Sequence, residues 1–186
     1  MRNKALLAFF VAFLGFSVHA EAQDWALSTN IVEYANLGTL NAEAHYAFDR
    51  HWNVSAGVRY NPFEFDFGKE GGARNKQQSY ALGLRFWPWH IYSGWWLSGK
   101  VQYQEYNVGG LFSKETREGD RFGTGFTGGY THMLTKWLNL EFGLGFWTGY
   151  DDYTEYACPV CGVVTDKGKK FFVLPDDVII ALSFIF

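Results

Sequence analysis

One pattern recurs along this chain and constrains its fold more than any other: strict alternation of apolar and polar or small residues. Leu138, Leu140, Phe142, Leu144 and Phe146 interleave with Asn139, Glu141, Gly143 and Gly145. Successive side chains of an extended strand point to opposite faces, so this stretch presents one greasy face and one polar face. The same two-residue period appears in Leu40–Phe48, Trp52–Asn61, Ser79–Phe86, Trp95–Gln104 and Phe122–Thr131. It is weaker in Trp25–Tyr34 and closes the chain in Val178–Phe186. No helical period of comparable length intervenes. Eight such segments predict an all-β, eight-stranded antiparallel barrel.

Period alone does not say which face is inside. A soluble sandwich or lipocalin-like barrel alternates too, with its large apolar residues in the core. Three further features favour the opposite sense, an eight-stranded antiparallel transmembrane β-barrel. The first is the N-terminus. Arg2 and Lys4 precede an apolar run from Ala5 to Val18, followed by Ala20 and Ala22. This has the form of a cleavable signal peptide over residues 1–22, leaving a barrel domain over 23–186, with cleavage after Ala20 as the alternative. The run is shorter than the roughly 18 apolar residues a helical span needs.

The second feature is the C-terminus. Val178, Ile180, Leu182, Phe184 and Phe186 share one face and end on an aromatic residue. The ending resembles the signal by which outer-membrane barrels are recognised by the barrel assembly machinery. The third is the placement of the aromatics, which make up 20% of the chain. Trp25, Trp52, Trp87, Trp89, Trp95, Trp96 and Trp137 fall at strand ends that this topology puts on the periplasmic side. Tyr34, Tyr60, Tyr80, Tyr103, Phe122 and Tyr150 fall near the opposite ends. Two aromatic girdles are expected where amphipathic rings meet headgroups. Connection lengths agree: short after strands two, four and six, and long after three, five and seven (about 62–76, 107–120 and 151–170).

In that sense the inner faces carry Glu43, His45, Arg59, Arg85, Lys100 and Glu141, among Asn53, Gln102, Gln104 and Asn139. An eight-stranded barrel is just wide enough for side chains to fill. Isolated buried charges are costly, so these must pair. The expectation is a salt-bridged interior in which Glu43 and Glu141 neutralise Arg59, Arg85 and Lys100. A narrow gated path for protons or small ions through the same ladder is the alternative.

Cys158 and Cys161 are the chain's two cysteines, spaced as a Cys-Pro-Val-Cys knuckle. Three readings stay open: a local disulfide in an exported protein, a metal half-site completed by Asp151, Asp152, Glu155 or another chain, and free thiols. A closed site needs four ligands, so the metal reading is weak and no cofactor is expected. The net charge of −3 becomes slightly more acidic once Arg2, Lys4 and Glu21 leave, which argues against nucleic acid as a partner. Basic residues in the outer loops (Lys69, Arg74, Lys76, Lys114, Arg117, Lys167, Lys169 and Lys170) could meet lipopolysaccharide phosphates. No nucleophile elbow, paired-carboxylate motif or phosphate loop occurs, so no enzyme is expected, and a lipid-acting one ranks last.

Several motifs together resemble an uncharacterised family of small Gram-negative outer-membrane proteins, known only as a domain of unknown function. They are Ser28-Thr29-Asn30, Tyr60-Asn61-Pro62-Phe63, Arg85-Phe86-Trp87, Tyr106-Asn107-Val108-Gly109-Gly110, Trp137-Leu138-Asn139-Leu140-Glu141, and Tyr150-Asp151-Asp152-Tyr153 leading to Cys158-Pro159-Val160-Cys161-Gly162. Val173-Leu174-Pro175-Asp176-Asp177 departs from the small-residue start expected of the last strand. The resemblance implies an outer-membrane barrel of OmpA/OmpX-like architecture and hands over no catalytic residues. The expected role is structural or interactive: envelope integrity, adhesion, or accessory subunit of an envelope or fimbrial assembly.

Overall fold

The computed structural model describes residues 24–65, 73–109, 115–158 and 162–186. The signal-peptide reading of residues 1–22 therefore lies outside the described residues, as do Lys69, Lys114 and Cys161. The elements are β1 (Trp25–Asn30), α1 (Ile31–Ala35), β2 (Leu40–Ala47), β3 (Trp52–Asn61), β4 (Glu64–Phe65), β5 (Ala73–Phe86), β6 (Gly94–Gly109), β7 (Thr116–Met133), β8 (Leu138–Tyr156) and β9 (Val164–Ile185). Each long strand pairs antiparallel with the next, and β9 returns to β1, so eight strands close a barrel. The two-residue β4 adds a rung to β5 beyond the end of β3. No helix among the described residues is long and apolar enough to cross a membrane.

The alternation resolves inside-out relative to a soluble core. Leu82, Phe126 and Leu144 stand 60%, 60% and 70% exposed on the outer wall, whereas Asn53, Asn139 and Ser183 are fully buried on the inner one. The terminal strand follows suit. Ala181, Ser183 and Ile185 point inward, with Val178, Ile180 and Phe186 outward. Five Cα pairs, from Ala26↔Ile185 to Asn30↔Ala181, join it to β1, and the Phe186 N–H donates to the Trp25 carbonyl at 2.8 Å.

Outward aromatics ring the rim that carries the termini. Trp25 packs on Tyr46, Trp52 on Phe86, Trp95 on Tyr130 and Trp137 on Phe184. Two tryptophans assigned to this girdle are not in it. Trp87 and Trp96 are buried inside the barrel, where they form the core with Tyr92, Ala26, Ala47 and Ile185. Parity explains both: Trp96 precedes outward Leu97, and Trp87 follows outward Phe86. Space explains the rest. A Cβ on Gly129 would collide with the Trp96 ring and the Phe142 carbonyl, and one on Gly143 would lie 3.1 Å from the Trp96 ring. Two glycines of the inner face thus make the slot for a residue the girdle would otherwise hold.

Three boundaries differ from the alternation pattern. Strand one stops at Asn30 rather than near Tyr34. The Asn30 side chain accepts the Val32 N–H (3.2 Å), caps the single turn of α1, accepts the Ile180 N–H (3.1 Å) and donates to the Val178 carbonyl (3.0 Å). The expected long loops after strands five and seven are largely ladder: β6 and β7 pair out to Gly109↔Thr116, and β8 and β9 to Tyr156↔Val164. Both faces there are polar, so period 2 leaves no hydropathy signal. Cross-strand ion and tyrosine pairs carry that part of the ladder instead. Finally, the last strand begins at Val164 and runs through Pro175, with a register shift opposite Leu144 and Phe146. A bulge is one of the few places a strand tolerates a residue without an N–H.

Filling the slot tests this packing. Gly129→Val is expected to destabilise the barrel by about 1–3 kcal/mol, read from urea unfolding of the refolded protein. Gly128→Ala, on the outer face, is expected to change the midpoint little.

Candidate functional site: the polar barrel interior

Inner faces of β2, β3, β5, β6 and β8 bring Glu43, Arg59, Arg85, Lys100 and Glu141 around one internal cavity of about 70 Å³. That is room for a few water molecules and for little else. Below the cavity, toward the terminal rim, Arg85 is the hub. Its Nη1 lies 2.7 Å from Glu141 Oε2, its Nη2 lies 3.6 Å from Glu43 Oε2, and its guanidinium stacks 4.0 Å over the Trp96 ring. Arg85 and Glu141 are 3% and 1% exposed. A planar cation between a carboxylate and an indole face is how a buried charge is held at tolerable cost. His45, fully buried, shares a hydrogen bond of 2.9 Å between Nε2 and Ser28 Oγ and lies 3.9 Å from Glu43 Oε2. Beneath them Trp87, Tyr92 and Trp96 fill the lumen, and Asn139 donates to the Tyr92 carbonyl at 2.8 Å.

Arg59 brings in a carboxylate outside the expected set: its Nε lies 2.9 Å from Glu33 Oε1. Glu33 belongs to α1, which the alternation did not reveal; the helix folds a carboxylate over the barrel mouth. The loop after α1 is drawn in as well. Asn61 donates to Thr39 (3.0 Å) and to the Asn36 and Leu37 carbonyls; Gln77 donates to Thr39 (3.2 Å), and Asn75 to Asn36 Oδ1 (3.0 Å). Lys100 lines the cavity with its chain passing over Gly125.

A second ionic centre lies toward the far rim and was not anticipated as such. Asp151, fully buried, accepts the Tyr106 hydroxyl at 2.7 Å and pairs with Arg121 (3.3 Å) and Lys170 (3.8 Å). Arg121 stacks 3.8 Å over the Tyr106 ring, and Trp147 packs edge-on against Phe172 beside it. Extending the inner rows by parity finds these residues: Glu141 leads to Trp147 and Asp151, Gly123 to Arg121, and Gln104 to Tyr106. Ending the strands at the loss of hydropathy contrast hid them. Higher still, Arg117 pairs with Glu155 at 2.8 Å and lies over the Tyr153 ring; Tyr153 donates to Asp166, which holds its hydroxyl above the ordinary tyrosine value. On β4, a hydrogen bond from Lys76, with Arg74 alongside, keeps the Glu64 carboxyl below its ordinary value.

Cys158 is disulfide-bonded, and the only other cysteine in the chain is Cys161. A sulfur in a disulfide offers no thiolate to a metal. The carboxylates considered as completing ligands are otherwise engaged: Asp151 as above, Asp152 with Lys169 (3.2 Å) and Glu155 with Arg117. Among the described residues no group of three or more His, Cys, Asp or Glu is arranged to hold a metal ion.

A family model described as "Protein of unknown function (DUF3575)" matches residues 8–186. The chain belongs to this family. Neither the curated proteins nor the solved structures contain a match to it. Family membership thus attaches no activity to the interior, and its chemistry stands on the contacts above. These are a lower cluster centred on Arg85, which lines the small cavity, and an upper one centred on Asp151. Such an interior can hold a barrel in one register and keep it closed.

Because Arg85 and Glu141 are both buried, removing one partner strands the other. Arg85→Met is expected to cost about 3–5 kcal/mol in urea unfolding followed by tryptophan fluorescence. The double change Arg85→Met with Glu141→Leu is expected to recover most of that loss.

Proposed function

We propose that this protein is an exported outer-membrane β-barrel, closed to bulk flow, whose role is structural or interactive rather than catalytic. The observation that carries the reading is the inverted wall: large apolar side chains exposed all round, polar and ionic ones inside, and aromatic pairs ringing one rim. In water such a wall would be an aggregation liability far beyond the patch size monomers tolerate. In a bilayer it is what a spanning barrel requires. Residues 1–22 act as the export signal in this reading, and the C-terminal strand engages the assembly machinery.

The hairpins β6–β7 and β8–β9 then stand out on the cell surface. Lys167, Lys169 and Lys170 on β9 and Arg117 on β7 lie at lipopolysaccharide headgroup level or above it. The role lies in these hairpins: envelope integrity, adhesion, or service as an accessory subunit of an envelope or fimbrial assembly. Fractionation of cells is expected to place the protein in the outer membrane with heat-modifiable mobility, and mass spectrometry to find Gln23 at the mature N-terminus. A tag inserted after Gly162 is expected to be labelled on intact cells. Recovery in the soluble fraction, or a tag that needs lysis to react, would overturn the reading.

The cavity between the Glu33–Arg59 and Arg85–Glu141 pairs favours a second reading, a narrow gated path for protons or small ions. Trp87, Trp96 and Tyr92 below it argue for closure. Planar-bilayer recordings of the refolded protein are expected to show no stable, large open conductance; a long-lived open level would replace the closed-barrel reading with the channel.

A further inference from the structure

The barrel wall is complete near the terminal rim and incomplete at the other. β9 pairs with β8 along almost its whole length, from Leu138↔Phe184 to Tyr156↔Val164. On its other side β1 reaches only Asn30↔Ala181. The Asn30 side chain then serves the Ile180 N–H and the Val178 carbonyl in place of a strand, and α1 packs beside it. Beyond that point, among the described residues, no strand pairs with this edge of β9 between Val164 and Val173. The opposite margin of the gap is treated differently. There β4 folds back on β5, with Glu64↔Arg74 and Phe65↔Ala73 in register and Glu64 bound to Arg74 and Lys76. One edge is capped by the chain itself; among the described residues no strand pairs with the other.

An unpaired edge is a template for another strand. Pro175, which has no N–H, marks the end of the stretch able to offer its main-chain groups without interruption. The edge also specifies its partner by charge. Lys167 and Lys169 are exposed on the outer face of β9, and Lys170 is half-exposed on the inner. Cross-strand neighbours interact directly, and like charges placed opposite one another are destabilising. A second copy pairing antiparallel about Gly168 would set Lys167 against Lys169 on the outer face while matching Asp166 with Lys170 on the inner, so an acidic strand meets the outer lysines better than a copy of this edge does. A segment carrying carboxylates at alternate positions would set them on the outer face beside Lys167 and Lys169, with its other residues on the inner face beside Lys170 and Phe172.

We propose that the free edge of β9, from Val164 to Val173, accepts an acidic, extended segment of a separate polypeptide by strand addition, continuing the line of β1. This makes specific the interactive role proposed above and rests on that reading only for its location at the cell surface. Main-chain hydrogen bonds would supply most of the affinity and the lysines the selectivity.

The test uses the full mature chain refolded in detergent micelles and a blocked peptide of four Glu-Val repeats as the probe. Hydrogen exchange of the β9 amides is measured with and without peptide at about 1 mM. The alternate amides of Val164–Val173 that face away from β8 are expected to exchange about tenfold more slowly with the peptide present. Methylating alternate peptide nitrogens is expected to abolish the effect, and Lys167→Glu with Lys169→Glu to transfer it to a Lys-Val repeat. Unchanged exchange overturns the proposal, as does equal protection by the methylated peptide. Protection that rises with protein concentration alone overturns it in favour of a second copy. These outcomes do not depend on where the protein fractionates in cells, so they separate from a failure of the outer-membrane reading.

Discussion

Everything in this molecule depends on one closure, the five-pair ladder between β1 and the C-terminal strand. A sheet that meets itself has satisfied its main chain and can turn its side chains either way. With eight strands the enclosed space is too narrow to be left empty and too polar here to collapse on apolar groups. The wall residues therefore go out and the charged ones in, and the interior has to neutralise itself. Arg85 does so through Glu141, Glu43 and the face of Trp96; Asp151 does so through Tyr106, Arg121 and Lys170.

The two centres differ in what surrounds them. Arg85 sits on an aromatic floor of Trp87, Trp96 and Tyr92 inside the terminal end of the barrel. Asp151 sits where the wall changes from eight strands to the taller group of β5 to β9, beside Trp147 and Phe172. Between them, α1 and the loop after it are pulled into the mouth by Glu33, Asn36 and Thr39. A segment between two strands thus comes to line the cavity, and beside it, among the described residues, β9 is paired on one edge only.

Much of this was legible one residue at a time. The assignment of Glu43, His45, Arg85 and Glu141 to a common interior needs only parity and the sense of the barrel. Residue type and hydropathy contrast mislead in this chain where parity does not. Trp87 and Trp96 were placed by residue type, because tryptophans at strand ends belong to girdles; their parity pointed inward, and Gly129 and Gly143 were the trace of the slot. Arg121, Tyr106 and Asp151 were assigned to loops and loop margins because hydropathy contrast fades when both faces of a hairpin are wet. The Glu33–Arg59 pair had no signal of its own, since a single capped turn leaves no period to detect.

Strand count, the two faces of each strand, the short turns at one rim and the membership of the lower ionic cluster can all be read along the chain. They follow from local rules: side-chain alternation, turn chemistry and the cost of unpaired charge. Which arginine meets which carboxylate, that two tryptophans fill the lumen, and that β1 stops seventeen residues short of where β9 begins, from Ala181 back to Val164, come only with the folded barrel. Those depend on register and on the stagger accumulated around a closed sheet. No single strand carries that information, because it exists only once the last strand has found the first.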